Sequence, residues 1–233
     1  MKISIWTRLL DLIAPRSCAV CSGRLNITEN SICTVCNLHL PRLGKNNIPF
    51  DDNDMARMFW GLIPIERAAA LFYYAANSDS SNILLALKYF GKHEVGIDMG
   101  RIMADELMTA GFFEGIDLIV PLPLEQKRER ARGYNQSEML AKGISMTTGI
   151  PYTDKAIERT TFSKSQTRLN RWERMENVNK SFRLINPKLL SGKHILLVDD
   201  VITTGATMLA CAETIAQVEG IKISILTLAY AKA

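Results

Sequence analysis

Apolar runs of strand length that alternate with segments of helical period place this chain among α/β proteins built on a doubly wound parallel sheet. The longest such run, Ile195-Leu196-Leu197-Val198, has no polar interruption, as a strand covered on both faces by helices must not. Ahead of the alternation stand four cysteines in two close pairs, which set apart a small N-terminal module. With 233 residues and 47% hydrophobic content, the chain can bury one α/β core plus that appendage and falls short of two large domains. The expected division is a module over 1–45, a linker over 46–66 and the sheet domain over 67–233.

Residues 1–14 carry an amphipathic run, Ile3, Trp6, Leu9, Leu10 and Ile13, broken by Arg8 and Asp11. No apolar stretch there nears the roughly 18 residues of a membrane span, so a short helix that packs Trp6 and Leu10 onto the protein is expected, without signal peptide or span. Next come Cys18-x-x-Cys21 and Cys33-x-x-Cys36, eleven residues apart, a spacing that delivers four thiolates to one tetrahedral zinc. Gly23 after the first pair and Asn37 after the second tolerate the left-handed turns that aim backbone N–H groups at ligand sulfurs. Disulfides are the alternative; without a secretory signal a reducing, cytoplasmic setting is expected, which favours zinc. Four thiolates close the coordination shell, so the metal is structural, a staple for a zinc-ribbon-like unit too small to hold its own core. Cys211, between Ala210 and Ala212, reads as a small core residue.

Prolines and the acidic run Asp51-Asp52-x-Asp54 mark 46–66 as the linker. A strand follows over 68–74, a helix over 80–89 with Ile83, Leu84 and Leu87 inward, and a second helix over 95–108 with Met99, Ile102, Met103 and Leu107 inward. The strand 116–120 leads into Pro121-Leu122-Pro123, and Asn135 with Glu138 three residues on caps a helix through Met146. A shorter extended piece over 152–157, the strand from Ile195 and a last strand over 222–230 complete the alternation. Ligands of such sheets sit outside the carboxyl ends of the strands.

At that edge the run from Ile195 ends in Asp199-Asp200-Val201-Ile202-Thr203-Thr204-Gly205-Ala206-Thr207. Two adjacent acids are tolerable only where a buried strand leaves the core. Met208, Leu209, Ala212, Ile215 and Ala216 then fall on one helical stripe, so 203–207 is the turn that feeds a helix N-terminus. Such a turn binds phosphate, because free backbone N–H groups, the helix dipole and the hydroxyls converge on one anion while Gly205 permits close approach. The carboxylates then serve vicinal sugar hydroxyls, or water on a divalent metal. Together these residues read as a sugar-phosphate cradle. A kinase-like phosphate loop fits less well, since Gly-x-x-x-x-Gly-Lys-Ser/Thr occurs nowhere in the chain and the acids precede the turn.

A net charge of +4 is too small for a nucleic-acid-coating polycation, yet residues 125–183 hold 13 Lys and Arg against 7 Asp and Glu. One part of this excess is Lys127, Arg128, Arg130 and Arg132 before Gly133, expected as a basic loop between a strand and a capped helix. Another is 159–182, polar throughout, with Lys164, Arg168, Arg171 and Arg174; it is expected as a lid, with Lys164 and Arg168 as the candidates that arrive at the site. His39, His93 and His194 are expected to be structural.

Every position of 195–207 resembles the signature of type I phosphoribosyltransferases, which bind 5-phosphoribosyl 1-pyrophosphate (PRPP) with magnesium. Cys18, Cys21, Cys33 and Cys36, Leu87-Lys88-Tyr89-x-Gly91, Arg132-Gly133-Tyr134-Asn135-Gln136, and the string Arg159, Gln166, Leu169, Arg174, Asn177-Val178, Phe182 extend the likeness. With Asp199-Asp200 they resemble the ComF/GntX family of competence-associated proteins over nearly the whole chain. The resemblance implies ribose hydroxyls on Asp199 and Asp200, the 5-phosphate on Thr203, Thr204, Gly205, Ala206 and Thr207, and pyrophosphate on Arg128, Arg132 and Gly133. It also implies structural zinc on the four cysteines, magnesium that comes with PRPP, and a place in DNA uptake and transformation.

On this likeness the first reading is transfer of phosphoribosyl from PRPP to an acceptor that the sequence does not name. One departure narrows it: purine-salvage relatives with an aspartate in the phosphate turn carry it where this chain has Thr203, which disfavours a hypoxanthine-type acceptor and leaves the general base unassigned. Two readings stand beside it, a non-catalytic PRPP-responsive adaptor and a competence factor that handles single-stranded DNA, with competence or recombination proteins as partners. Aromatics are only 7% of the chain, so the stacking surfaces on which direct DNA binding depends are few.

Overall fold

The computed structural model describes residues 15–43, 49–76, 78–89, 93–160 and 181–231. Its centre is a four-stranded sheet of β1 (Arg67–Tyr73), β2 (Leu118–Pro121), β5 (His194–Ile202) and β6 (Lys222–Tyr230). They stand in the order β1-β6-β5-β2, every neighbour parallel. Parallel neighbours need long crossovers, and these are helices: α3 (Asp79–Tyr89) and α4 (His93–Met108) between β1 and β2, α6 (Gln136–Thr148) after β2, and α7 (Ala206–Ile215) between β5 and β6.

Alternation along the strands divides the core in two. Leu196 and Val198 of β5 and Leu226 and Leu228 of β6 face the layer of α3, α4 and α6, where Leu87, Met99, Met103, Leu140 and Ile144 are buried. Ile195, Leu197, Ile223 and Ile225 face the opposite layer of α7 and the short α2 (Asp54–Arg57), with Met55, Phe59, Met208 and Ile215. The sheet is therefore doubly wound, as its unbroken apolar runs require. Cys211 of α7 is buried as expected; Thr214 also turns inward, and Ala216, expected on the apolar stripe, is exposed beyond the helix end.

The outer flanks of the sheet have partners. Beside β1, residues 41–43 run antiparallel, with Tyr73 N–H donating to Pro41 C=O (2.8 Å) and Leu43 N–H to Leu71 C=O (3.1 Å). Beside β2, the expected extended piece supplies a parallel bridge from Tyr152 to Ile119 and then becomes β3 (Ile157–Arg159). An antiparallel partner, β4 (Phe182–Leu184), pairs with β3. The lid expectation at Lys164 and Arg168 lies outside the described residues, and β3 and β4 are its two flanks.

The cysteine module rests on the sheet domain through one continuous core: Cys18, Val20, Leu25, Ile32 and Leu40 pack in the same cluster as α3, α4 and α6. Polar ties add to it. Ser31 Oγ donates to Asp98 Oδ2 (2.5 Å), Asn82 Nδ2 to Val20 C=O (3.0 Å), and Arg42 makes a forked pair with Glu106 (2.5–3.0 Å). The segment 46–66, expected as a linker, holds α2, capped by Asn53 Oδ1 on Met55 N–H and Ala56 N–H, with Met55 and Phe59 in the core. The Met1–Ala14 expectation lies outside the described residues.

Helices α4 and α6 cross at backbone contact. A Cβ on Gly100 would lie 2.2 Å from Leu140 C=O, one on Gly143 2.0 Å from Ile97 C=O, and one on Gly96 2.5 Å from Met139 Cβ. None of these three neighbours is a flexible side-chain tip, so the helices must part to admit a methyl group. Gly100→Ala or Gly143→Ala is expected to destabilise the fold by about 1–3 kcal/mol, read as a lower midpoint of urea unfolding.

Candidate functional site

At the carboxyl ends of β2 and β5 a cavity of about 220 Å³ is lined by Lys88, Pro123, Arg128, Arg132, Gln136, Ser137, Arg159, Asp199, Asp200 and the turn 203–207. The sheet edge thus brings together the acid pair, the turn 203–207 and the basic stretch, all of which the sequence placed there. Gly205 takes φ +75° and caps α7. A Cβ at Gly205 would come 3.1 Å from Met58 Cε, the mobile end of a side chain that can give way, so the left-handed conformation is what calls for glycine. Thr204 Oγ1 accepts weakly from Ala206 N–H (3.5 Å), which curls the turn into the ten-residue helix.

Asp199 and Asp200 are half-buried and differently held. Asp199 Oδ1 accepts from Ser137 Oγ and from Asp200 N–H, both at 2.8 Å. Asp200 Oδ2 pairs with Lys88 Nζ at 3.2 Å. Burial, and after it the charge of Asp200, push the Asp199 carboxyl up to about 7, against the Ser137 and Asp200 hydrogen bonds and Lys88.

The basic stretch is a helix rather than the expected loop: α5 (Gln126–Arg132) has no buried residue and ends at Gly133 in the left-handed conformation, φ +84°. Its register follows from Arg128 and Arg132 lying four residues apart, which puts both on one face and in the cavity. Arg132 Nη1 donates to Gln136 Oε1 (2.8 Å), while Arg128 reaches Glu125 at 3.5 Å. The Gln136 Nε2 is buried and has no partner among the described residues. Asn135 caps α6 as expected through Ser137 N–H (3.1 Å) and ties back to Leu122 C=O (3.0 Å).

Four polar lining residues were not picked out as site residues from sequence: Lys88, Gln136, Ser137 and Arg159. Lys88 looks like an ordinary cation in the last turn of a helix. Ser137 was findable, because the helix capped by Asn135 begins at the ligand edge of the sheet. Arg159 ends β3 and stands 5.5 Å over the Phe182 ring across the ribbon. The three histidines are elsewhere: His39 Nδ1 on Val35 C=O, His93 against the Tyr134 ring, His194 Nε2 with Ser224 Oγ. Cys211 is fully buried, and burial pushes its thiol up.

The sulfurs of Cys18, Cys21, Cys33 and Cys36 lie within 4.8 Å of one another, with Cys21 and Cys33 4.0 Å apart, far beyond disulfide length and close to the spacing of sulfurs around one tetrahedral zinc. Backbone N–H groups of Val20 (3.4 Å) and Cys33 (3.3 Å) aim at Cys18 Sγ, and that of Cys36 (3.4 Å) at Cys33 Sγ. Burial opposes a Cys18 thiolate, but hydrogen bonds from Cys21, Cys33 and Val20 outweigh it and hold the thiol at about 7. The donor set and size suit a structural zinc. The left-handed residue of the first knuckle is Ser22 (φ 60°), not Gly23; a Cβ on Gly23 would lie 3.2 Å from Cys21 Sγ, so close approach is what glycine supplies there. Asn37 lies inside α1 (Thr34–His39), where its Oδ1 accepts from Arg42 (2.6 Å) instead of shaping a turn.

The folded chain keeps a proton on Asp199 that the unfolded chain releases near the ordinary carboxylate value of 3.8. Folding stability is therefore expected to fall as pH rises from about 4 to about 7 in proportion to this group. Asp199→Asn should flatten that slope in denaturant titrations across the same pH range.

Residues 133–233 match the phosphoribosyl transferase domain family. The chain is 30% identical over 204 residues to the DNA utilization protein YhgH of Escherichia coli strain K12, which covers 84% of this chain and 82% of that protein. It is 24% identical over 200 residues to competence protein F of Haemophilus influenzae, 82% of this chain and 86% of that one. Competence protein ComFC of Bacillus subtilis is 32% identical over 91 residues, 39% of this chain and 35% of that one. Overlap with solved structures is partial: glutamine PRPP amidotransferase from B. subtilis matches 60% of this chain and 30% of its own at 18% identity and a TM-score of 0.43. No helix among the described residues is long and apolar enough to cross a membrane. With similarity to a DNA utilization protein over 84% of the chain and a four-cysteine cluster ahead of the phosphoribosyl transferase domain, the chain belongs to the ComF/GntX family of competence-associated proteins.

Proposed function

We propose that this protein binds PRPP and transfers its phosphoribosyl group to an acceptor in a step that serves DNA uptake. One observation carries the reading: the acid pair, the turn 203–207 at the start of α7, and Arg128 with Arg132 line a single cavity at the ligand edge of a parallel sheet. In this reading the turn holds the 5-phosphate, Asp199 and Asp200 accept the ribose hydroxyls, and Arg128 and Arg132 meet the pyrophosphate. The unmatched Gln136 amide and the Arg159 guanidinium are donors in the same wall, the chemistry that an anionic leaving group calls for. Magnesium, bound with the pyrophosphate, would neutralise part of its charge. The chain's own work is electrostatic: it fixes the sugar, shields it from water and stabilises positive charge as it develops at C1. Lys164 and Arg168, between β3 and β4 in sequence, would arrive with a lid.

Residues 1–45 form the zinc unit of this reading, with Cys18, Cys21, Cys33 and Cys36 as ligands, and 67–233 the phosphoribosyl unit, joined by 46–66. The names of the relatives support the setting in DNA use; a cytoplasmic location accords with unpaired thiols.

Calorimetric titration of the zinc-loaded chain with PRPP and magnesium is expected to show one saturable site. An Asp199→Ala, Asp200→Ala double variant should lose about 100-fold or more in affinity, the cost of charge-assisted hydrogen bonds at two positions. Absence of PRPP binding by the folded wild type would end the reading. Pyrophosphate release on addition of an acceptor marks an enzyme, and binding without release under every acceptor marks a PRPP-responsive adaptor. For the zinc unit, Cys33→Ser or extraction with a strong chelator is expected to lower the melting temperature of the whole chain, because the module shares its core with α3 and α4. A purified chain free of zinc that melts unchanged would count against the metal.

A further inference from the structure

Lys88 sits where a mobile surface lysine would not. Its ammonium lies 3.2 Å from Asp200 Oδ2, with the two side chains 25% and 13% exposed, whereas the Arg128–Glu125 pair on α5 is 62% and 38% exposed. The helix that carries it is pinned at both ends. Near its start, Asn82 donates to the Val20 carbonyl of the cysteine module. At its end, the Leu87 carbonyl accepts from the buried Tyr134 hydroxyl, while Ile83, Leu84 and Leu87 anchor its apolar face. Lys88 is thus delivered to the acid pair by a fixed element, and Tyr134 ties that element to the stretch that carries Arg132.

Two adjacent carboxylates at the rim of a buried strand attract a cation of some kind. Asp199 is served by a hydroxyl and a backbone N–H, and Asp200 by Lys88. A divalent ion seated on Asp200 would have to displace an ammonium that a packed helix holds in place. With Asp200 paired to Lys88 and Asp199 held by the Ser137 hydroxyl and a backbone N–H, both carboxyl groups keep lone pairs free to accept sugar hydroxyls. We propose that Lys88 is the resident counter-ion of the acid pair, so that the pentose-phosphate half of the cavity binds its ligand without a divalent cation. The metal then serves the pyrophosphate half alone. This inference rests on the proposed PRPP site and specifies how its sugar subsite works.

Ribose 5-phosphate is the probe, titrated calorimetrically into the zinc-loaded full chain in buffer freed of magnesium by chelating resin, and again with magnesium restored. The wild type is expected to bind about equally in both. Lys88→Met, which keeps the stem and removes the charge, is expected to weaken binding about tenfold without magnesium and to regain much of it with magnesium; Lys88→Arg should behave as wild type. A purely packing role would lower thermal stability and leave the magnesium dependence alone, so melting curves of all three chains accompany the titrations. Wild-type binding that requires magnesium, or a folded Lys88→Met chain that binds like wild type in its absence, overturns the counter-ion role while the PRPP site stands. Failure of the wild type to bind either ribose 5-phosphate or PRPP, with or without magnesium, overturns both.

Discussion

The arrangement of the ligand edge turns on the placement of two carboxylates. A strand covered on both faces has no room for charge along its length, so β5 is apolar from Ile195 to Val198 and meets its acids only where it leaves the core. Adjacent acids repel, and each requires donors from another element. Ser137 comes from the first turn of α6 and Lys88 from the last turn of α3, so the starting point of one helix and the stopping point of another are both set by the acid pair. The Asn135 cap and its bond to Leu122 fix the first; the Tyr134 hydroxyl on Leu87 fixes the second. Glycine contacts between α4 and α6 then hold α6 at the depth from which Ser137 reaches the strand end.

The cysteine module is joined to this frame by packing as well as by sequence. A unit of its size cannot bury enough apolar surface alone. It places Val20, Leu25, Ile32 and Leu40 on the layer of α3 and α4 instead, and buries the Asp98 carboxylate with Ser31 and Arg101 as its partners. The four sulfurs order the chain locally, and the shared core decides where that ordered piece sits.

Much of this was legible in the sequence because the signals were of the kind that periodicity and spacing record. Strands β5 and β6, the inward faces of α3 and α4, the Asn135 cap and the paired cysteines all follow from local pattern. What escaped depends on distance through space. Lys88 and Asp200 are far apart in sequence, and no local rule pairs them. The basic stretch was read as a loop from its place between a strand and a capped helix, yet it forms a helix wholly on the surface, which needs no apolar stripe to announce it. The segment 46–66 was read from its prolines and acids, while Met55 and Phe59 found their places only against the completed sheet. At Gly23 the sequence pointed to the right residue for the wrong reason: room beside a sulfur, not a left-handed turn.

Residues 41–43 on one side of the sheet and Tyr152 on the other have a consequence for how the molecule meets other chains. A bare strand flank is an adhesive that recognises any extended peptide, because its donors and acceptors are the same in every protein. Here the chain has spent its own backbone on both flanks. Strand addition at these two flanks of the central sheet is thereby discouraged, and recognition there falls to side chains, which are specific to sequence and can be tuned one residue at a time.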